Sequence, residues 1–129
     1  MVIGTGVDII EIERVGQASG NEAFLSRVFT EQELCYCRKT DGSYREESLA
    51  GLFAAKEAAA KALGSGFSAI RPNEIEITHT AAGRPEMKLL SETFRKESFV
   101  CHVSISHDRS QAVAVVVMEM DTRTKEEKP

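Results

Sequence analysis

Residues 43–64 read SYREESLAGLFAAKEAAAKALG, and the fold turns on how this stretch is read. Ser43 followed three residues later by Glu46 is a capping-box signature. From Tyr44 to Leu63 there is no proline, and alanine, leucine, lysine and glutamate dominate, all strong helix formers. Gly64 supplies the usual left-handed stop. The pattern predicts one helix of about 20 residues, roughly 30 Å long. Leu49, Leu52, Phe53, Ala60 and Leu63 form its apolar stripe.

Upstream, Val2 to Val7 is short, apolar and glycine-bearing, as a buried strand is, and it ends at Asp8. Ile9, Ile12 and Val15 recur near helical spacing and predict a helical turn. Gly16 to Asn21 reads as loop. Phe24, Leu25 and Val28 suggest a short helix. Thr30 and Glu33 form a second capping box, opening a helix over about Glu31 to Arg38, before an Asp41-Gly42 turn.

Downstream of Gly64 the chain reads as strands. Glu74 to Thr78 alternates, Ala81 to Pro85 turns, and Glu86 to Leu90 pairs back as a hairpin. Ser91 to Glu97 suits a short helix. Phe99 to Ser106 alternates, with Phe99, Cys101, Val103 and Ile105 on one face. His107 to Ser110 turns, and β-branched Gln111 to Met118 reads as a central strand. The expected fold class is α+β: a small antiparallel sheet with one long helix packed across it. A single domain is expected over residues 1–120, with a charged tail at 121–129.

Length and composition narrow the function. The chain has 129 residues, 42% of them hydrophobic, enough for one core. A formal net charge of −4, with no basic run, argues against a nucleic-acid partner. Three cysteines without a C-x-x-C pair argue against a disulfide scaffold or zinc ribbon. No stretch has the signature of a signal peptide or a membrane helix, so no membrane partner and a cytoplasmic location are expected.

Four places have the residue types for chemistry. Asp8 closes the first strand; its plain alternative is a helix cap. Glu57 and Lys61 lie four apart on one helix face, together with Ala50, Ala54 and Gly64, small residues that leave room for a ligand. Their plain alternative is an exposed i,i+4 ion pair. Gly64-Ser65-Gly66 permits close backbone approach, although a C-cap alone accounts for Gly64. Ser104-Ile105-Ser106-His107 ends an alternating strand, and no nucleophile elbow accompanies it. His79 and His102 read as surface or sheet-face residues without metal-ligand spacing.

Taken in order, Gly4-Thr5-Gly6-Val7-Asp8, then Phe53-Ala54-Ala55-Lys56-Glu57-Ala58-Ala59-Ala60-Lys61 with Gly64-Ser65-Gly66, then Val103-Ser104-Ile105-Ser106-His107, resemble the holo-acyl-carrier-protein synthase family. These are the short, trimeric 4′-phosphopantetheinyl transferases, and the likeness spans about residues 2–118. It implies a homotrimer that moves phosphopantetheine from coenzyme A to a serine of apo acyl carrier protein, in fatty acid biosynthesis. It implies Mg²⁺, with Mn²⁺ as substitute, on Asp8 and Glu57. Lys61 would contact the diphosphate and protonate the leaving oxygen, and Glu57 or a metal-bound water would take the serine proton. Gly64, Gly66, Phe67, Pro85 and His107 would approach coenzyme A, with the Gly83 to Pro85 turn or His107 coming from a neighbouring subunit. Arg14, Phe24 and Arg27 would meet the carrier protein.

Two departures stand out. Leu52 occupies a position where many members carry an arginine able to contact the 3′-phosphate, which leaves that group to Arg45, Arg84 or His107. Gly16 to Phe24 has no lysine or arginine, which shifts carrier docking toward Phe24, Leu25 and Val28. These departures motivate one alternative, a non-catalytic scaffold binding coenzyme A or carrier protein on the same fold. A phosphohydrolase that uses water as acceptor is another.

Overall fold

A computed structural model describes residues 1–95 and 98–121. The fold is α+β, with strands β1 (Val2–Glu11), β2 (Ile75–His79), β3 (Pro85–Leu89), β4 (Phe99–His107) and β5 (Gln111–Met120). The helices are α1 (Ile12–Ala18), α2 (Glu22–Val28), α3 (Glu31–Cys37), α4 (Glu46–Leu63) and α5 (Glu92–Arg95). Short 3₁₀ turns at Gly66–Ser68 and Pro72–Glu74 link α4 to β2. The sheet order is β1-β5-β4, antiparallel throughout, so β5 is central as its β-branched composition predicts. β2 and β3 form a separate hairpin that turns at Gly83, φ +89°.

Several boundaries differ from the expectations above. β1 runs through Asp8 to Glu11, because Ile9, Ile10 and Glu11 stay paired with Val113, Ala112 and Gln111. The helical turn expected from Ile9 therefore starts at Ile12, and Gly16 lies inside α1 rather than in a loop. The Ser43 capping box does not form. Asp41 Oδ1 takes both the Ser43 N–H (2.9 Å) and its hydroxyl (2.6 Å), so α4 begins at Glu46 with Arg45 as its N-cap. The Thr30–Glu33 box is present in full, at 2.9 and 3.3 Å. Pro85 opens β3 and His107 ends β4, although each was expected in the adjoining turn. Lys96, Glu97 and residues 122–129 lie outside the described residues, and with them the end of the helix expected over Ser91 to Glu97 and nearly all of the expected tail.

Helix α4 crosses the sheet and buries more than a stripe, eleven of its 18 residues. Phe53 and Leu63, expected in the stripe, are only half-buried. The added burial comes from Ala54, Ala55, Ala58, Ala59 and Ala62, each at 6% exposure or less. Small side chains let the helix backbone come down onto β1. A Cβ on Gly6 would sit 1.9 Å from the Ala58 carbonyl oxygen, and one on Gly4 would sit 1.9 Å from that of Ala62. The two chains run antiparallel, and their repeats nearly match. Two strand residues advance about 6.7 Å; four helix residues advance about 6.0 Å.

This contact predicts that Gly6→Ala destabilises sharply, since its neighbour is backbone and has no rotamer to yield. The expected loss is at least about 2 kcal/mol, or roughly 8 °C of melting temperature, measured by circular dichroism. Gly20→Ala, whose added methyl would meet nothing nearer than 3.5 Å, should melt like the parent.

Candidate active site

Alternation along β1 puts Gly4, Gly6, Asp8 and Ile10 on the face toward α4. The glycines clear the way for the helix, and Asp8, the next residue on that face, meets its polar edge. Lys61 Nζ lies 2.9 Å from Asp8 Oδ1 and donates to the Val7 carbonyl at 3.1 Å. Glu57 lines the same cleft as Asp8, and the two carboxyls perturb one another's protonation. Asp8, Glu57 and Lys61, three of the residues singled out from the sequence, thus converge.

The charges do not balance comfortably. Asp8 Oδ2 is buried with no hydrogen-bond donor. Burial alone would raise the Asp8 pKa, but hydrogen bonds from Glu57 and Lys61 and the Lys61 charge outweigh it, and the carboxyl sits below its ordinary range. Glu57 takes the opposite course. Burial first, then the Asp8 hydrogen bond and negative charge, push it up to about 7, against the pull of Lys61 and Arg14. The Lys61 ammonium is held above its usual range by the Asp8 hydrogen bond. Two adjacent carboxylates with one orphaned oxygen suit a hard divalent cation, which takes one or two protein carboxylates and fills its other positions with water and phosphate. Among the described residues no group of three or more His, Cys, Asp and Glu forms a fuller cage.

A cleft of about 590 Å³ opens beside this pair, lined in part by Arg14, Val15, Phe24 and Phe53. The room at Glu57 comes from this gap. Ala50 and Ala54, expected as an open floor, are fully buried. Gly64 (φ +82°) and Gly66 (φ +59°) follow one turn beyond Lys61 in left-handed conformations, and Phe67 is exposed after them. Arg27 is exposed at the end of α2, outside the cleft lining.

Pro85 and His107 lie elsewhere on the chain. They line a second cleft of about 210 Å³ with Tyr36, Leu52 and His79. His79 ends β2 on the sheet, as one of the two expectations had it. It is half-buried and stacks on Tyr36 at 3.9 Å, and burial lowers its pKa. His102 is exposed on the sheet face as read, 2.7 Å from Glu119.

The sequence reading passed over Lys56, which is fully buried and pairs with Glu33 at 2.7 Å. Its spacing carried the signal: Lys56 stands four residues after Leu52 and seven after Leu49, on the apolar stripe itself. Phe53 was read as core and is also cleft wall.

The antiparallel β1-β5-β4 sheet lies under a long helix, and an acid from each meets at the join. The family model described as the 4′-phosphopantetheinyl transferase superfamily matches residues 4–116, and the chain belongs to that family. A curated relative from Clostridium tetani, a holo-[acyl-carrier-protein] synthase, is 42% identical over 124 residues, covering 92% of this chain and 97% of its own. The solved holo-(acyl-carrier-protein) synthase of Bacillus anthracis str. Ames in complex with CoA (3′,5′-ADP) superposes with a TM-score of 0.77 at 33% identity, covering 94% and 99% of the two chains. The Helicobacter pylori enzyme in complex with coenzyme A gives 0.79 at 31%, covering 89% and 99%.

The raised Glu57 pKa makes a signed prediction. The folded protein keeps a proton that the unfolded chain releases, so cation-free stability falls as pH rises from about 4.5 to about 7. Glu57→Gln should remove that loss. At pH 8 without divalent cation it should melt a few degrees above the parent, on the order of 1 kcal/mol after solvent screening. The gap should close near pH 4.5. Equal melting curves at both pH values would show that the two acids do not interact.

Proposed function

We propose that this chain transfers the 4′-phosphopantetheine arm of coenzyme A to a serine of an apo acyl carrier protein, releasing adenosine 3′,5′-bisphosphate. The observation that carries the reading is the convergence of Asp8, Glu57 and Lys61 beside an open cleft. Asp8 and Glu57 would hold Mg²⁺, or Mn²⁺ in its place. When bound, the cation neutralises the donor's diphosphate and polarises its phosphoryl oxygens. Lys61 holds the diphosphate and gives a proton to the leaving oxygen. Glu57 or a metal-bound water would take the serine proton. The serine oxygen forms a bond to the β-phosphorus as the bond to the leaving phosphate breaks.

The other functional residues follow from their places. Arg14 and Phe24 at the cleft, with exposed Arg27, form the docking surface for an acidic carrier. Gly64, Gly66 and Phe67 lie beside the donor's diphosphate and arm. Leu52 is 2% exposed and belongs to the core. The Arg45 guanidinium is occupied by the Tyr36 carbonyl and ring. Arg84 and His107, exposed near Pro85, are left to meet the 3′-phosphate. Pro85 and His107 line a cleft separate from the acid pair, which supports a site completed by a neighbouring copy. The outer sheet face supports a homotrimer. Val7 and Ile9 on β1 pair with Val115 and Val113 on β5, and all four are exposed. The transferase domain spans residues 1–120, and its place is the cytoplasm and fatty acid synthesis. No helix among the described residues is long and apolar enough to cross a membrane.

The test is intact-protein mass spectrometry of several apo carriers incubated with the chain, coenzyme A and Mg²⁺. The expected product is a carrier heavier by one phosphopantetheine. Glu57→Ala should lose roughly a hundredfold or more of the rate while keeping its circular dichroism. Coenzyme A binding without any mass shift would favour the scaffold reading, and phosphopantetheine release without an acceptor would indicate hydrolysis.

A further inference from the structure

The buried Lys56–Glu33 pair is not used by the chemistry above. Both side chains are at 0% exposure. Every ammonium proton is committed: to Glu33 Oε1 at 2.7 Å, to the Pro72 carbonyl at 2.9 Å and to the Ile75 carbonyl. Glu33 in turn accepts the Thr30 N–H at 2.9 Å and the Ile77 N–H at 2.8 Å. One pair therefore joins α3, α4, the Pro72–Glu74 turn and β2.

Stability alone is a poor reason for it. Apolar residues of similar volume commonly do as well or better at such a site, because two charges must be stripped of water. What a fully bonded pair supplies is direction, since it is satisfied in one arrangement of its helices.

That arrangement reaches the active-site cleft through aromatic packing. The Lys56 ammonium lies 5.9 Å over the Phe29 ring. Phe29 meets Phe24 edge-on at 6.2 Å, and Phe24 meets Phe53 edge-on at 6.0 Å. Phe24 and Phe53 are the apolar wall of the cleft that holds Asp8 and Glu57.

We propose that Lys56 and Glu33 are positioning residues for the acceptor: by locking α2 and α3 against α4 through Phe29, they set where Phe24 stands in the cleft wall that receives the carrier protein. The inference rests on the transferase reading and on Phe24 as a carrier contact. It leaves the donor side in place, because Asp8 and Lys61 are held by β1 and by each other rather than by the aromatic chain.

The experiment is steady-state kinetics with apo carrier and coenzyme A varied separately. The double variant Lys56→Met/Glu33→Gln, which leaves no lone buried charge, should raise KM for the carrier about tenfold. KM for coenzyme A and kcat should stay within about twofold. Phe29→Leu keeps the ion pair and breaks only the aromatic relay; it should raise carrier KM severalfold, and it serves if the double variant does not fold. Phe24→Ala should reproduce the same KM pattern. Wild-type carrier KM in Phe29→Leu overturns the proposal, as does an equal rise in both KM values or a fall in kcat alone. Absence of transfer by the parent chain would instead overturn the transferase reading.

Discussion

The structure depends on a backbone-to-backbone approach that side chains would forbid. Gly4 and Gly6 leave no Cβ between β1 and α4, and the alanines beneath the helix add almost no height. The helix therefore sits directly on the strand. Dispersion and burial gain from every close contact along that line. The same closeness brings Glu57, from the helix, to the carboxyl of Asp8, two residues past the glycine. A bulkier strand would hold the two acids apart. The packing interaction and the geometry of the acid pair are thus one feature of the sequence.

The acid pair is a local cost accepted within a well-packed scaffold. Burial and mutual repulsion push Glu57 up to about 7, while Lys61 supports Asp8. An oxygen left without a donor inside an otherwise satisfied region is the kind of conflict expected where binding chemistry is performed. The rest of α4 has the opposite character. One turn of the helix carries both Lys56, whose bonds are complete, and Glu57, whose charge calls for a partner. Adjacent helix residues point about 100° apart, so the two face different neighbours, Lys56 the core and Glu57 the strand.

Much of this was legible in the sequence. The uninterrupted Ala-, Leu-, Lys- and Glu-rich run announced α4, and Gly64 marked its end. The β-branched run 111–118 announced the central strand. Asp8, Glu57 and Lys61 were recognisable through their joint motif, because each alone has an ordinary structural use. Less was readable where local signals competed. Ser43 had two partners within reach, Asp41 and Glu46, and only the fold shows that the turn takes it. Ile9 has helical spacing to Ile12, yet pairing with Val113 keeps it in the strand. Lys56 and Glu33 are 23 positions apart, and a buried lysine in an amphipathic run looks like a solvated one until its partner is known. The roles of Gly4 and Gly6 also required the helix above them.

The most direct test is anomalous diffraction from crystals grown with Mn²⁺, which shows where a divalent cation sits. If Asp8 and Glu57 share one ion, a single peak should lie about 2.1 Å from an oxygen of each carboxylate. A peak on only one of them, or bound Mn²⁺ elsewhere with the two acids turned apart, would contradict it.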